Sequence, residues 1–221
     1  MVNRNTVAGI IALCLIGSAC SDSSPEQKAG LATPEASGFD FYVLALSWSP
    51  SYCAAEGPKA NPRQCSSGKP RGFVVHGLWP QFEKGYPEFC KSDQPERVPW
   101  QTVNTIIDLI PTAGLIGHQW REHGTCTGLD QTGYFDAVRL AREAVRIPPG
   151  LSGGLVNPLE AEQAFMKANR GMPADGIAVT CDKRYLREVR ICLSKDMEFH
   201  SCPEVDRRMC RLPKAAMPAA R

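Results

Sequence analysis

Cysteine is the residue type that most restricts the fold of this chain. The sequence holds 10 cysteines in 221 residues, and eight of them lie downstream of an export-like segment. An even number of cysteines in an exported chain predicts disulfides, here four. The eight are Cys53, Cys65, Cys90, Cys126, Cys181, Cys192, Cys202 and Cys210. No C-x-x-C pair occurs, so a structural zinc site is not expected. Eight cysteines allow on the order of 100 pairings, so counting alone leaves the pairing open.

The N-terminal segment has the three parts of an export signal. Arg4 precedes an apolar run at 7–16, and small residues follow at 17–19. The run is too short to span a membrane as a stable helix, because a span takes roughly 20 residues. A buried N-terminal helix is the alternative. We predict an export signal over residues 1–19 and a flexible tether, rich in Ser, Pro and Ala, over residues 20–38.

Cys20 leaves two fates open for an exported chain. Small residues just before a cysteine resemble the cleavage site of bacterial lipoproteins, which would place a lipid on Cys20. Against lipidation, Gly17 stands where such sites usually carry a leucine. The expected location is therefore periplasmic or secreted, with anchoring to the outer membrane only through a lipid on Cys20.

The overall charge does not identify a partner. The formal net charge is +2 and the sequence pI is about 8.0, which is too mild to hold a protein on nucleic acid by bulk charge. A nucleic-acid enzyme of this charge needs a local basic groove, so the total charge neither supports nor excludes RNA.

The spacing of apolar residues predicts strands at both ends of the domain and helices between them. The predicted strands are 39–48, 72–78, 177–181 and 186–193, and the predicted helices are 98–110, 115–123, 134–147 and 157–169. Residues 49–70 are predicted to form a turn-rich loop closed by Cys53 and Cys65. The tail, residues 213–221, is predicted to be disordered. This order favours a single α+β domain with a mainly antiparallel central sheet, flanking helices and disulfide staples.

Three of the 4 histidines lie in two short segments. His76 lies in FVVHGLWP, and His118 and His123 lie in HQWREHGTC. A lone histidine in a strand is more often a core residue, but clustering with tryptophans and a glutamate favours a site. His200 has no motif around it and is predicted to be a surface residue.

The spacing of the second segment favours proton transfer over metal binding. On a helix His118 and Glu122 share a face, whereas the two histidines are five residues apart and need not chelate one ion. Histidine titrates at about pH 6.5, which suits acid–base catalysis without a metal. We expect no metal and no cofactor.

The two segments resemble the active-site motifs of a known family. HGLWP at 76–80 and H-x-W-x-x-HGTC at 118–126 are similar to the two motifs of the T2 ribonucleases, which are base-non-specific acid endoribonucleases. The resemblance covers nearly the whole mature chain and implies a ribonuclease domain over 39–212. It also implies RNA as the substrate, and we expect a monomer. An unrelated disulfide-rich extracellular binding protein is the alternative that the paired motifs disfavour.

The resemblance implies a metal-independent transphosphorylation of single-stranded RNA. The 2′-hydroxyl attacks the neighbouring phosphorus and leaves a 2′,3′-cyclic phosphate, which later hydrolyses to a 3′-phosphate. By similarity, His123 is the general base, His76 the general acid and His118 a phosphate-binding group, while Trp79 packs at the pocket. Two further aromatics are candidates for stacking on bases, with ordinary surface packing as the alternative: Phe82 and Tyr86.

The resemblance also implies the disulfide pairing. The four pairs are Cys53–Cys65, Cys90–Cys126, Cys181–Cys210 and Cys192–Cys202. The pair Cys90–Cys126 would hold the two histidine segments in register, which catalysis requires.

Gln119 and Glu122 depart from the family pattern, which has glutamate and lysine at these positions. A glutamate at 122 would repel phosphate and raise the pKa of a nearby histidine. In one interpretation Glu122 turns outward and Arg121 supplies the charge; in another Glu122 orients His118. In the third the protein is weakened, or is a silent RNA-binding protein on the same fold. We expect retained activity, because all three histidines and the cysteines are present.

Overall fold

The computed structural model describes Met1 and residues 38–66, 68, 70–151 and 153–220. The predicted export signal beyond Met1, the tether up to residue 37, and Cys20 lie outside these described residues. Within the described ranges, no helix is long and apolar enough to cross a membrane.

A four-stranded antiparallel sheet forms the centre of the domain. Its strands are β1 (Phe41–Trp48), β2 (Phe73–Gln81), β4 (Ile177–Cys181) and β5 (Leu186–Leu193); the short strand β3 (Gly154–Val156) lies outside this sheet. The order across the sheet is β2-β1-β5-β4. Branched and aromatic residues dominate them, as expected for buried strands. All four predicted strands are confirmed, and β2 continues to Gln81 instead of ending at Leu78.

Seven helices surround the sheet in the described part of the chain. They are α1 (Ser49–Glu56), α2 (Pro62–Cys65), α3 (Trp100–Ile106), α4 (Ala113–Glu122), α5 (Gln131–Ala144), α6 (Pro158–Ala168) and α7 (Pro203–Asp206). Helices α3 to α6 pack their apolar sides on one face of the sheet and form the main core with it. The predicted α+β class with a mainly antiparallel sheet is confirmed. The opposite face of the sheet carries the polar side chains described below.

The prediction of a turn-rich loop over residues 49–70 is wrong, because this segment contains α1, α2 and a 3-10 turn at Gly57–Lys59. Each of the three begins with a proline in its first turn, where a missing N–H costs no helical hydrogen bond. Asn61 caps α2 by accepting a hydrogen bond from the Arg63 N–H at 3.0 Å. The prolines of this segment thus start short helices instead of interrupting them.

Caps explain where the longer helices differ from prediction. Thr112 and Asp130 accept hydrogen bonds from Leu115 N–H at 3.2 Å and Gly133 N–H at 2.7 Å, so α4 and α5 begin earlier than predicted. Asn157 caps α6, as its sequence indicates. Helix α3 is shorter than the predicted 98–110.

The prediction of a disordered tail over residues 213–221 is wrong for residues 213–220, which the structure describes. Strand β6 (Ala215–Met217) pairs antiparallel with β3 (Gly154–Val156). Ala215 and Met217 are buried in the main core, and the Trp48 indole donates a hydrogen bond to the Pro218 carbonyl at 2.8 Å. Alternate residues of this short segment face the core, which is a strand pattern.

The structure contains four disulfides, and they are the four pairs implied by the family resemblance. Cys90–Cys126 joins the segment after β2 to the 3-10 turn Gly124–Cys126 that follows α4. The two segments that carry histidines are thus covalently tied.

Candidate active site

A bulge in β2 turns His76 away from the core. Gly77 pairs with Ala45 and Val75 pairs with Leu46, so His76 is the extra residue of its strand. Val75 and Leu78 both lie in the main core, which leaves the two residues between them to face the other side of the sheet. A histidine in this apolar strand is therefore presented to a polar surface.

His76 is bound to a carboxylate that the sequence alone did not single out. Its Nδ1 lies 2.5 Å from Oε1 of Glu188 on β5. Ser47 donates to the same oxygen at 3.2 Å, and Arg190 donates to Oε2 through Nε at 3.1 Å and Nη2 at 3.0 Å. Burial by itself would raise the pKa of Glu188, but His76 and Arg190 outweigh it and lower that pKa to about 2. A charged carboxylate therefore stands beside His76.

Glu122 joins the other two histidines at the end of α4. One carboxylate oxygen lies 2.6 Å from His118 Nε2, and the other lies 3.7 Å from His123 Nε2. The interpretation that Glu122 turns outward is therefore wrong. Arg121 is exposed and lines a separate depression, so it does not supply charge here. The remaining geometric interpretation, in which Glu122 orients His118, fits these contacts.

His123 is the most buried of the site histidines, at 7% exposed. Burial first, and then the charges of His76 and His118, lower its pKa to about 3. The expectation that Glu122 raises the pKa of a nearby histidine is wrong for His123. Its Nδ1 is buried and has no hydrogen-bond partner among the described residues. His123 is thus a neutral imidazole near neutral pH and can accept a proton.

The chain leaves α4 tightly at His123 because glycine follows it. A Cβ on Gly124 would overlap the rings of Trp120 and Tyr134, both of which are fully buried. The Gly124 backbone therefore packs against the core, which fixes the position of His123 at the helix end.

Trp79 lies against both proposed proton-transfer histidines. Its ring centroid is 5.4 Å from that of His76 and 5.4 Å from that of His123. The Arg190 guanidinium lies over the same ring, 5.0 Å from the centroid. These side chains come from three elements: His76 and Trp79 from β2, Arg190 from β5, and His123 from the end of α4. The site therefore exists only in the folded domain.

Gln119 holds Trp79 in place. Its Oε1 accepts a hydrogen bond from the Trp79 indole at 2.9 Å, and its side chain is buried at 1% exposed. Gly77 makes room for this bond, since a Cβ there would overlap both Gln119 and Trp79. A neutral amide performs this role without burying a charge.

Two cavities flank the histidines. The first, of about 290 Å³, is lined by Phe41, Trp79, Phe82, Tyr86, His123 and Arg190 among others. The second, of about 430 Å³, is lined by Ser47, Tyr52, Gln64, His76, Thr112 and Glu188 among others. The stacking candidates at 82 and 86 are thus brought to the first cavity, where both are exposed.

His200 does not join the site. Its ring packs on Phe41 with centroids 5.0 Å apart, and its Nε2 lies 3.5 Å from a carboxylate oxygen of Glu83. Its side chain is about one-third exposed, at 34%, in keeping with the prediction of a surface residue. No group of three or more His, Cys, Asp or Glu side chains in the described ranges is arranged to hold a metal ion.

Glu188 and Arg190 are site residues that the sequence alone does not predict. Both lie on β5 in the segment REVRICL, for which the apolar spacing predicts a strand and no site residue. The available signal was a glutamate at a position that a central strand buries, since buried carboxylates are rare unless paired.

Comparison with known sequences gives a consistent family. The sequence model of the Ribonuclease T2 family matches residues 39–202. A ribonuclease of Aeromonas hydrophila is 36% identical over 177 residues, which is 73% of this chain and 75% of that protein. Ribonuclease I of Escherichia coli is 26% identical over 205 residues, which is 72% of this chain and 76% of that protein.

Comparison with solved structures gives the same fold. Ribonuclease MC1 from bitter gourd seeds superimposes with a TM-score of 0.65 at 20% identity, covering 81% of this chain and 100% of that one. RNase NT in complex with 5′-AMP gives a TM-score of 0.59 at 22% identity, covering 83% and 100%.

Proposed function

The chain belongs to the ribonuclease T2 family and is a ribonuclease, and we propose that it cleaves single-stranded RNA through His76 and His123 without a metal ion. Trp79 carries this proposal, because its ring lies 5.4 Å from both of these histidines. The neutral, buried imidazole of His123 and the carboxylate-bound imidazole of His76 thus lie beside the same indole ring. An acid–base pair requires two such groups close together.

The proposed reaction is a transphosphorylation. His123 removes the proton from the 2′-hydroxyl, and O2′ forms a bond to the neighbouring phosphorus. The bond from phosphorus to the 5′-oxygen breaks, and that oxygen takes the proton of His76. The products are a 2′,3′-cyclic phosphate and a free 5′-hydroxyl, and water later opens the cyclic ester to a 3′-phosphate. The nucleophile belongs to the substrate, which selects RNA over DNA.

The surroundings of the two histidines support the assignment of base and acid. A base must be unprotonated before the reaction, and burial lowers the pKa of His123 to about 3. An acid must carry a proton, and the charged carboxylate of Glu188 stabilises an imidazolium at His76. Arg190 balances that carboxylate and lies over the Trp79 ring.

The positions of the two cavities support one direction for the RNA strand. His123 lines the first cavity and His76 the second. The nucleotide that carries the attacking 2′-hydroxyl therefore occupies the first cavity, beside Phe82 and Tyr86. The nucleotide that leaves through its 5′-oxygen occupies the second. His118 contacts the phosphate between them, and Glu122 orients it. Low base specificity is expected, since aromatic stacking accepts every base.

RNA digestion in excess EDTA tests this proposal. We expect cleavage by the oxidised protein that chelation does not reduce, with 2′,3′-cyclic ends detected by mass spectrometry. His76→Ala and His123→Ala each lower the cleavage rate by about 10²–10⁴-fold, whereas the matched control His200→Ala cleaves like the wild type. Dependence on added Mg²⁺ or Zn²⁺ would contradict the mechanism. RNA binding without cleavage would instead support the silent RNA-binding protein.

We further propose that residues 1–19 direct export and are removed, giving a monomeric enzyme in the periplasm or medium. The proposed layout is the signal, a tether at 20–38 and the ribonuclease domain from residue 39. Intact-mass measurement of the mature protein tests it. A lipid mass on the N-terminal Cys20, with membrane retention lost in Cys20→Ser, identifies anchoring; an unmodified chain identifies simple secretion.

A further inference from the structure

A third cavity lies next to the one that contains His76. Its volume is about 480 Å³, and its lining includes Arg97, Val98, Trp100, Val103, Gly117 and Arg121. None of these residues belongs to the proposed catalytic group. The cavity combines an exposed aromatic ring, two arginines and an apolar floor, and this combination suits a nucleotide.

Gly114 connects the third cavity with the second. This residue lines both of them and lies one helical turn before His118 on α4. It is exposed, and a Cβ added to it would meet nothing within 4 Å. No side chain therefore separates the two cavities at this point, and a strand leaving the second cavity can pass over Gly114 into the third.

The side chains of the third cavity are available for a ligand. Trp100 is 57% exposed. In the described part of the chain, neither Arg97 nor Arg121 lies within ion-pair distance of a carboxylate. One carboxylate, Glu96, also lines the cavity, so the two arginines leave it net positive. An exposed indole stacks on bases and guanidinium groups bind phosphate.

Buried groups hold the loop that forms this cavity. Trp120 donates a hydrogen bond to the Pro95 carbonyl at 2.8 Å, and Gln131 donates to the Pro95 and Arg97 carbonyls at 2.6 and 3.2 Å. Both donors are buried. The backbone on either side of position 96 is therefore fixed before any ligand arrives, which lowers the entropic cost of binding.

We propose that this cavity binds the next nucleotide on the 3′ side of the leaving nucleotide in single-stranded RNA. Its base stacks on Trp100, and its phosphate contacts Arg97 and Arg121. The proposal rests on the proposed function, because His76 and the second cavity set the direction of the strand. The enzyme thereby prefers the interior of a chain to its 3′ end.

Oligonucleotides with one cleavable bond test the inference. Each carries a single ribose, at its 5′ nucleotide, and 2′-deoxyribose elsewhere, with a total length of two, three or four nucleotides. We expect kcat/KM to rise about tenfold from two to three nucleotides, in line with stacking on one aromatic ring, and little from three to four. Trp100→Ala and Arg97→Ala remove this gain but cleave the dinucleotide like the wild type. Trp100→Phe keeps most of the gain, and the exposed-arginine control Arg170→Ala keeps all of it.

Equal kcat/KM for two and three nucleotides would overturn the inference, as would a gain that survives both Trp100→Ala and Arg97→Ala. Failure of the proposed function looks different, because then no oligonucleotide is cleaved. In that case the affinities of all-deoxy di- and trinucleotides decide. Tighter binding of the trinucleotide, lost in Trp100→Ala, supports the subsite, and equal binding refutes it.

Discussion

The two proposed proton-transfer histidines occupy opposite environments. His76 stands on a strand, is about one-third exposed and is bound to a charged carboxylate. His123 stands at a helix end, is buried, and has an Nδ1 without a hydrogen-bond partner among the described residues. The residue type is the same, but His76 contacts a charged carboxylate, whereas burial favours the neutral form of His123.

This difference supports the proposed roles without reference to any motif. An imidazole next to a carboxylate is suited to hold a proton and give it up to a leaving oxygen, while a desolvated imidazole is suited to receive one. The two environments also differ in origin. Glu188 on β5 reaches His76 on β2 across the intervening strand β1, whereas His123 lies at the local turn before Gly124.

The largest expected effect comes from changing the leaving group of the substrate. This change distinguishes the proton donor, His76, from the base, His123. On RNA, His76→Ala and His123→Ala should each lower kcat by about 10²–10⁴-fold. On a nucleoside 3′-(4-nitrophenyl phosphate), the leaving phenolate needs no proton. There His76→Ala should recover most of the wild-type rate, while His123→Ala should not. Steady-state kinetics on both substrates measure this; recovery in His123→Ala alone would reverse the assignment.

The burial of His123 should appear in the pH dependence of stability. Because the pKa of His123 falls from 6.5 to about 3 on folding, the unfolded chain binds this proton first. The stability is present above pH 6.5 and is lost as the pH falls from 6.5 toward 3. Between pH 7 and pH 5 the expected loss is about 2 kcal/mol.

Urea unfolding at the two pH values measures this loss. His123→Gln should remove most of the decrease, and the control His200→Gln should leave it unchanged. An equal decrease in both variants would show that His123 is not the responsible group. Glu188 responds in a separate window, since its pKa falls from 4.5 to about 2 and its stabilisation is lost only as pH falls through that range.

Glu188→Gln should reduce kcat on RNA by about tenfold, because the charge-assisted hydrogen bond to His76 is lost. The effect should vanish on the 4-nitrophenyl ester, since Glu188 acts through the proton donor. A similar loss on both substrates would mean that the substitution disturbs the site generally.

Glu122→Ala should have the smallest effect, about threefold on kcat/KM, because it removes one ion-pair contact from a half-exposed His118. Glu122→Gln keeps an acceptor and should lie close to wild type. If Glu122→Lys raises activity instead, the carboxylate opposes phosphate binding, and its contact with His118 is not a positioning contact.

The sheet and three of the long helices could be predicted because their apolar periodicity is regular. The short helices at 49–65 could not, because proline disfavours a helix interior but is favourable in a first turn. The strand at 215–217 could not, because packing overrides the helix preference of alanine. In residues 49–65 the prolines occupy the first turns of helices. In residues 215–217 the side chain of Met217 packs in the main core.

At the site, the histidine segments were visible as motifs, but their partners were not. His118 and Glu122 share a helix, so their contact follows from spacing alone. Glu188 is 112 residues from His76, and only the strand order β2-β1-β5 brings them together. Long-range pairing of this kind has no local signature in a single sequence.

The bulge at His76 also limits which changes the second strand can tolerate. Residues 75 and 78 must both reach the core, so the strand contains one residue more than strict alternation needs. Deleting Gly77 would restore alternation and place the imidazole where Gln119 and the indole now meet. A one-residue deletion in this strand would therefore cause a steric clash with Gln119 and Trp79. Replacing one hydrophobic residue of the strand by another would not.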